Sequence, residues 1–441
     1  IIEKHLLDNP HALLAVARPK PGLEDENTKR LAEKLAEKKK SMSDAELAKL
    51  VEQTKALKAY QEAPDDPEDI KKIPLLSLED IEPETERLDV EEKEVAGAKV
   101  LHFAQPTNGI IYLQLMFDTR TVPQELIPLL PVLAHVLGDL DTDKHTYGEL
   151  DTELNIHTGG LSFSTKVYED FKDPEAYYPK FVARSKVLVP KFEKLVELEG
   201  EVIAGTRFGD IGRMKQVLGE INSRLQSMAR RGGYYLSYLR MESYLSESGK
   251  YVELTQGLSQ IGFVSDIYEM FGKRPGDIIA DLDLLADVIF SKGNLVIGVT
   301  CSKDDYNVFE KNLPALIDRL GGEKYESQKY SFDFDTRNEG LVTASKVQYV
   351  NKGADYRQLG HPYSGKLNVL RKILSSDYLQ EKVRVQGGAY GAWATFSQDG
   401  VGAMSSYRDP NLKKTLDNFE NSIEYLEKFS ADDREMTRYI I

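Results

Sequence analysis

Val383-Arg384-Val385-Gln386-Gly387-Gly388-Ala389-Tyr390-Gly391-Ala392-Trp393-Ala394-Thr395-Phe396 couples the end of an amphipathic helix to an alternating strand through paired glycines. Leu367, Leu370, Leu374 and Tyr378 recur at helical spacing ahead of it, while the residues after it alternate with period two. Thr158-Gly159-Gly160-Leu161-Ser162-Phe163-Ser164 makes the same kind of joint earlier in the chain. Around the earlier joint the spacing predicts strands over 99–118 about a Pro106–Gly109 turn, helices over 123–137 and 146–156, and a strand over 161–169. Around the later one it predicts a strand over 341–350, a helix over 366–383 and a strand over 389–397. The repeated order of strand, helix, Gly-Gly and strand points to two homologous α+β domains, each a mixed sheet packed with helices.

Between the joints, the pattern gives a strand over 181–188, a long helical region over 189–271, a helix over 275–290, a strand over 294–301 and a helix over 307–320. Gly321 and Gly322 end that last helix, and a polar linker runs to 339. Ahead of the first domain, residues 23–62 are rich in Lys, Glu and Ala. They read as a charged helical hairpin with a narrow apolar seam of Leu31, Leu35, Leu47, Leu50, Val51 and Leu57. Ser43-Asp44-Ala45-Glu46 is a capping box at the start of its second helix. Prolines 64, 67 and 74 then open a connector to about 89. The expected organisation is therefore a hairpin linker over 1–89, an α+β domain over 90–325, and a second, partial one over 340–441. The start at IIEKHLLDNPH and the stop at SADDREMTRYII suggest a piece of a longer chain.

The 441 residues carry 57 Lys and Arg against 72 Asp and Glu, a net charge of −15, which argues against a nucleic-acid partner. No apolar run is long enough for a membrane span, and no secretory signal is visible. The surface charge is compatible with basic peptides as partners. A bacterial cytoplasm and an organelle matrix both fit.

A zinc hydrolase site needs two imidazoles within a helical turn and a carboxylate to activate water. The seven histidines, at 5, 11, 102, 135, 145, 157 and 361, include no such pair. Where a motif would be sought, His135 is followed by Gly138 and Asp139. No metal site is expected in this chain. Asp139, Asp141 and Asp143 begin like a calcium loop, but Lys144 and Leu150 stand where glycine and glutamate are required. Cys301, the single cysteine, lies in an apolar strand and reads as a small buried hydrophobe. One constellation remains: Arg384 at a helix end and Tyr390 at a strand start, joined by Gly387 and Gly388. By itself it reads as a helix-terminal charge and a half-buried strand tyrosine. The same groups could also hold a peptide carbonyl or an oxyanion.

The chain resembles the C-terminal half of the pitrilysin/insulinase family, in its presequence-protease and falcilysin branch. The resemblance runs through IIEKHLLDNPH, the charged hairpin, PLLSLEDI from Pro74, HTGGLSFS from His157, MESYLSESGKYVELTQGLSQIGF from Met241, and VRVQGGAYGAWATF from Val383. It implies a zinc metalloendopeptidase as the full-length protein, with two halves closing around unfolded peptides. Zinc would be held by the missing N-terminal catalytic half, so this half alone is expected to be inactive. The family's C-terminal half supplies an Arg and a Tyr six residues apart, the spacing of Arg384 and Tyr390. The resemblance assigns them to a substrate carbonyl and to the tetrahedral intermediate, with Gly387 and Gly388 in the substrate-binding turn. The competing reading is a non-catalytic structural or partner subunit of the same fold.

Overall fold

The computed structural model describes residues 1–63, 65–84, 87–170, 172–173, 176–334, 337–343 and 346–441. They form two compact units, Ile1–Leu75 and Leu76–Ile441.

In the first unit, helices Leu23–Ser41 and Asp44–Glu62 form where their spacing predicts them. The Ser43 backbone N–H donates to Glu46 Oε2 at 2.8 Å, and the Ser43 hydroxyl accepts from the Glu46 N–H at 3.3 Å. The apolar seam stays open to solvent: Leu31, Leu35, Leu50, Val51 and Leu57 are each half or more exposed. So few apolar residues per helix bury too little area to offset the ordering of their Lys- and Glu-rich neighbours. The connector predicted to reach 89 includes residues 64, 85 and 86, which lie outside the described residues.

In the second unit, six strands make one sheet: β1 (Val90–Val95), β2 (Ala98–Ala104), β3 (Ile110–Asp118), β4 (Leu161–Glu169), β5 (Tyr177–Leu188) and β6 (Leu295–Cys301). Their order is β1-β2-β6-β3-β5-β4, all antiparallel except the β2–β6 pair. Alternation decides which face is covered. On β3, Ile111, Leu113, Leu115 and Phe117 are fully buried in the main core, while Tyr112 on the other face is exposed. The core is closed by helices including Leu130–Val136, Phe192–Gly205 and Pro275–Ile289.

The predicted helical region over 189–271 is a series of separate helices. Asp210 and Ser246 cap two of them, and Gly232 and Gly257 lie at two further breaks. The helix predicted over 307–320 is divided at Pro314.

A second sheet holds β7 (Gln348–Asp355), β8 (Gly391–Phe396) and β9 (Val401–Asp409) in the order β7-β9-β8. Its first strand begins later than the predicted 341–350, of which residues 344 and 345 lie outside the described residues. Both sheets contain the same antiparallel triplet. β5 runs between β3 and β4, and β9 runs between β7 and β8. Each Gly-Gly joint feeds the outer strand of its triplet, which is the repeat anticipated from sequence order. The second joint is two residues longer, and Ala389 and Tyr390 are the addition.

Helix Gly233–Glu242 packs against the second sheet. A Cβ on Gly233 would stand 2.7 Å from the Tyr349 ring, and one on Gly353 would stand 2.6 Å from the Met241 sulfur. Tyr234 meets Trp393 edge-on at 5.1 Å, and Asn351 Nδ2 donates to Ser237 Oγ at 2.7 Å. Arg240 on the same helix donates to both Glu339 oxygens, at 2.7 and 3.1 Å, and to buried Glu253 at 3.4 Å. The segment leading into the second sheet is thereby tied to helix Gly233–Glu242 and to Glu253.

Candidate functional site

The helix that carries Arg384 starts as an α-helix at Lys366–Ile373 and continues with wider π-helical turns over Leu374–Val385. Leu374, Tyr378, Leu379 and Val383 anchor it in the second core, leaving Arg384 on the exposed side. At its end the chain must reverse within three residues. The Gly388 N–H donates to the Arg384 carbonyl at 2.8 Å, and the Ala389 N–H to the Val383 carbonyl at 3.2 Å. Two glycines permit this. A Cβ on Gly387 would lie 2.3 Å from the Val383 oxygen, and Gly388 has a φ of +82°.

Beyond the turn Ala389 is buried, and the Tyr390 N–H donates to the Tyr407 carbonyl at 3.0 Å. The Tyr390 ring stands edge-on to Tyr407 at 6.0 Å and remains 70% exposed. Arg384 makes one long bond, 3.4 Å, to Gln380 on the preceding turn. Thus the four residues singled out from the sequence share one tight turn. An exposed guanidinium leaves it on one arm and an exposed phenol on the other. That pair can donate hydrogen bonds to a carbonyl or an oxyanion without first breaking an internal network.

The other sequence candidates take structural places. Asp141 accepts from the Tyr147 N–H at 2.8 Å, Asp143 pairs with Arg207 at 2.9 Å, and the Asp139 carbonyl accepts from Arg213 at 2.9 Å. Cys301 is buried 3.7 Å from His102 Nε2, and burial pushes its thiol up to about 11. Among the described residues, no three of His, Cys, Asp and Glu converge where they could hold a metal ion. Nor, among the described residues, is any helix long and apolar enough to cross a membrane.

Two clusters escaped sequence reasoning because their members are distant in the chain. Buried Glu201 receives the Thr142 hydroxyl and lies 2.9 Å from His145 Nδ1. A cavity of about 70 Å³ between the two sheets is lined by Glu169, Glu247, Asp355, Arg357 and Asp399. Beside it, burial, reinforced by the charge of Asp399, pushes the Glu242 carboxyl up to about 7.

Comparison with known proteins adds a family context. Residues 18–267 match the associated domain of peptidase family M16, subfamily C, and residues 338–441 match the PreP C-terminal domain. Protein HypA of Clostridium perfringens is 36% identical over 441 residues, covering 100% of this chain and 45% of that protein. Presequence protease 1, chloroplastic/mitochondrial, of Arabidopsis thaliana is 29% identical over 447 residues, covering 100% of this chain and 41% of that protein. The chain thus spans less than half the length of these relatives. Among solved structures, the peptidase M16 inactive domain from Pseudomonas fluorescens matches with a TM-score of 0.53 at 18% identity, covering 80% of this chain and 82% of that one. A protease from Helicobacter pylori matches with a TM-score of 0.56 at 14% identity, covering 80% and 83%. At these identities the structures bear on the fold alone.

Proposed function

The chain belongs to peptidase family M16 as the C-terminal half of a pitrilysin-type peptidase, and we propose that it is the substrate-holding half of a zinc-dependent enzyme that degrades unfolded peptides. Zinc would be held by the N-terminal half and would supply the activated water. This half encloses the peptide and provides donors. The Arg384 guanidinium holds a backbone carbonyl of the substrate. The Tyr390 hydroxyl donates to the oxygen that gains charge in the tetrahedral intermediate. A closed chamber built from two halves would admit extended peptides and exclude folded proteins. The working compartment would be an organelle matrix or a bacterial cytoplasm.

The observation that carries this reading is the Gly387–Gly388 turn. It presents Arg384 and Tyr390 to solvent from a base fixed by buried Val383 and Ala389. Donors held this way need little reorganisation when charge develops. The test is peptide hydrolysis by this half alone and by this half mixed with the zinc-bearing half, using wild type, Arg384→Ala and Tyr390→Phe. Silence alone, cleavage in the mixture, and large losses in both variants are the expected results. An active mixture indifferent to both substitutions would remove the site assignment.

A further inference from the structure

The turn that bears Arg384 and Tyr390 is held from behind by a short segment 20 to 30 residues further along the chain. Asn411 Nδ2 donates to the Gly387 carbonyl at 2.6 Å, and Lys414 Nζ reaches the Gln386 carbonyl at 3.4 Å. Asn411 is itself fixed. Its backbone N–H donates to Asp409 Oδ1 at 2.8 Å, and the other Asp409 oxygen accepts the Thr415 hydroxyl at 2.6 Å. Asp409 is fully buried and Thr415 nearly so, and a Cβ on Gly388 would stand 3.6 Å from the Pro410 ring. A buried carboxylate thus orders the joint between β9 and helix Lys413–Glu420. One amide carries that order across to the turn.

We infer that Asn411 is a positioning residue: through the Gly387 carbonyl it sets where the Gly387–Gly388 turn lies, and so where Arg384 and Tyr390 stand relative to each other. The inference rests on the reading of Arg384 and Tyr390 given above. Gly387 has no side chain to lock its peptide plane, and Gly388 occupies a left-handed conformation available mainly to glycine. A joint this permissive keeps a single geometry only if its carbonyl is tied from outside. The Asn411 amide is the side-chain donor that does so at Gly387. Asn411 need not touch a substrate.

The experiment uses the full-length enzyme, with both halves, and an internally quenched unstructured peptide. Asn411→Ala is expected to lower kcat roughly 10- to 100-fold, the scale of a small misplacement of catalytic groups. It should also accelerate amide exchange at Gly388 and Tyr390 while β9 keeps its protection. Asn411→Asp puts an acceptor-only carboxylate where the amide donated at neutral pH, and should lower kcat and accelerate exchange at the turn as Asn411→Ala does. In a Tyr390→Phe background, Asn411→Ala should cost less than about twofold, because the hydroxyl it positions is already gone.

Unchanged exchange at the turn in Asn411→Ala overturns the inference. So does an equal fold-loss with and without the Tyr390 hydroxyl, or full turnover in Asn411→Ala while Tyr390→Phe is crippled. If Tyr390→Phe and Arg384→Ala both retain full turnover, the site reading fails instead. Amide exchange at Gly388 and Tyr390 then decides alone whether Asn411 holds the turn.

Discussion

Ser185 on β5 donates its hydroxyl to Glu199 at 2.9 Å, and both residues are buried between sheet and helix. The second Glu199 oxygen has no hydrogen-bond partner among the described residues. Burial pushes this carboxyl up to about 7 from 4.5, and the single Ser185 bond only partly opposes the shift. The folded chain therefore keeps a proton that the unfolded chain releases. Stability falls as pH rises from about 4.5 through about 7 and levels off beyond, a cost of roughly 3 kcal/mol. Glu199→Gln is expected to be stabilising at pH 8 and close to neutral at pH 5. Urea unfolding at both values checks this, and equal effects at the two pH values would contradict it.

Arg240 bridges fully buried Glu253 and Glu339, the latter in the segment before the second sheet. Its removal leaves the Glu253 charge buried and uncompensated. Arg240→Ala should cost about 3 kcal/mol, whereas Glu339→Gln, which removes the more exposed of the two carboxylates, should cost roughly 1 kcal/mol. The Arg240 bonds hold Glu339 down to about 2, so its contribution is present above the usual carboxylate range and is lost as pH falls towards 2. Thermal melts of both variants at neutral pH, with Glu339→Gln also followed into acid, measure these effects.

The two glycines of the turn should fail differently. At Gly387 a methyl group meets a backbone oxygen at 2.3 Å, so Gly387→Ala must move the helix end and is expected to abolish peptide turnover in the full-length enzyme. At Gly388 there is room for a Cβ, and the penalty is the positive φ alone, about 1 kcal/mol. Gly388→Ala should keep most activity. Gly388→Asn, which tolerates that conformation better, should keep more. The ranking of turnover among these variants is the readout.

Tyr390→Phe and Arg384→Ala should separate kinetically. Loss of a donor used mainly in the transition state lowers kcat, here by roughly 100-fold. Loss of a group that holds a carbonyl in both ground and transition states raises KM. Steady-state kinetics with one peptide distinguish these. A pure KM effect at Tyr390 would reassign it to binding.

Much of the architecture was legible because it is carried by local pattern. The Gly159–Gly160 and Gly387–Gly388 joints marked the repeat, the Pro106–Gly109 turn marked β2 and β3, and the apolar run 294–301 marked β6. The breaks within 189–271 also had written signals, Asp210, Gly232, Ser246 and Gly257, but amphipathic spacing ran on across them. The Asn411–Gly387 hydrogen bond was not legible. Asn411 and Gly387 are separated by 24 positions, and neither lies in a periodic element. The role proposed for Arg384 and Tyr390 came from resemblance, since one charge at a helix end has a structural explanation of its own.

The seating of helix Gly233–Glu242 on the second sheet also constrains motion. This helix arises from the chain of the larger sheet, yet it shares Tyr234 with Trp393, Ser237 with Asn351 and Met241 with Gly353. The two sheets are consequently geared together and cannot swing apart without stripping a whole helical face. On the function proposed above, a peptide would enter without the two sheets separating, so spin labels on the two sheets should report one unchanging separation with or without substrate.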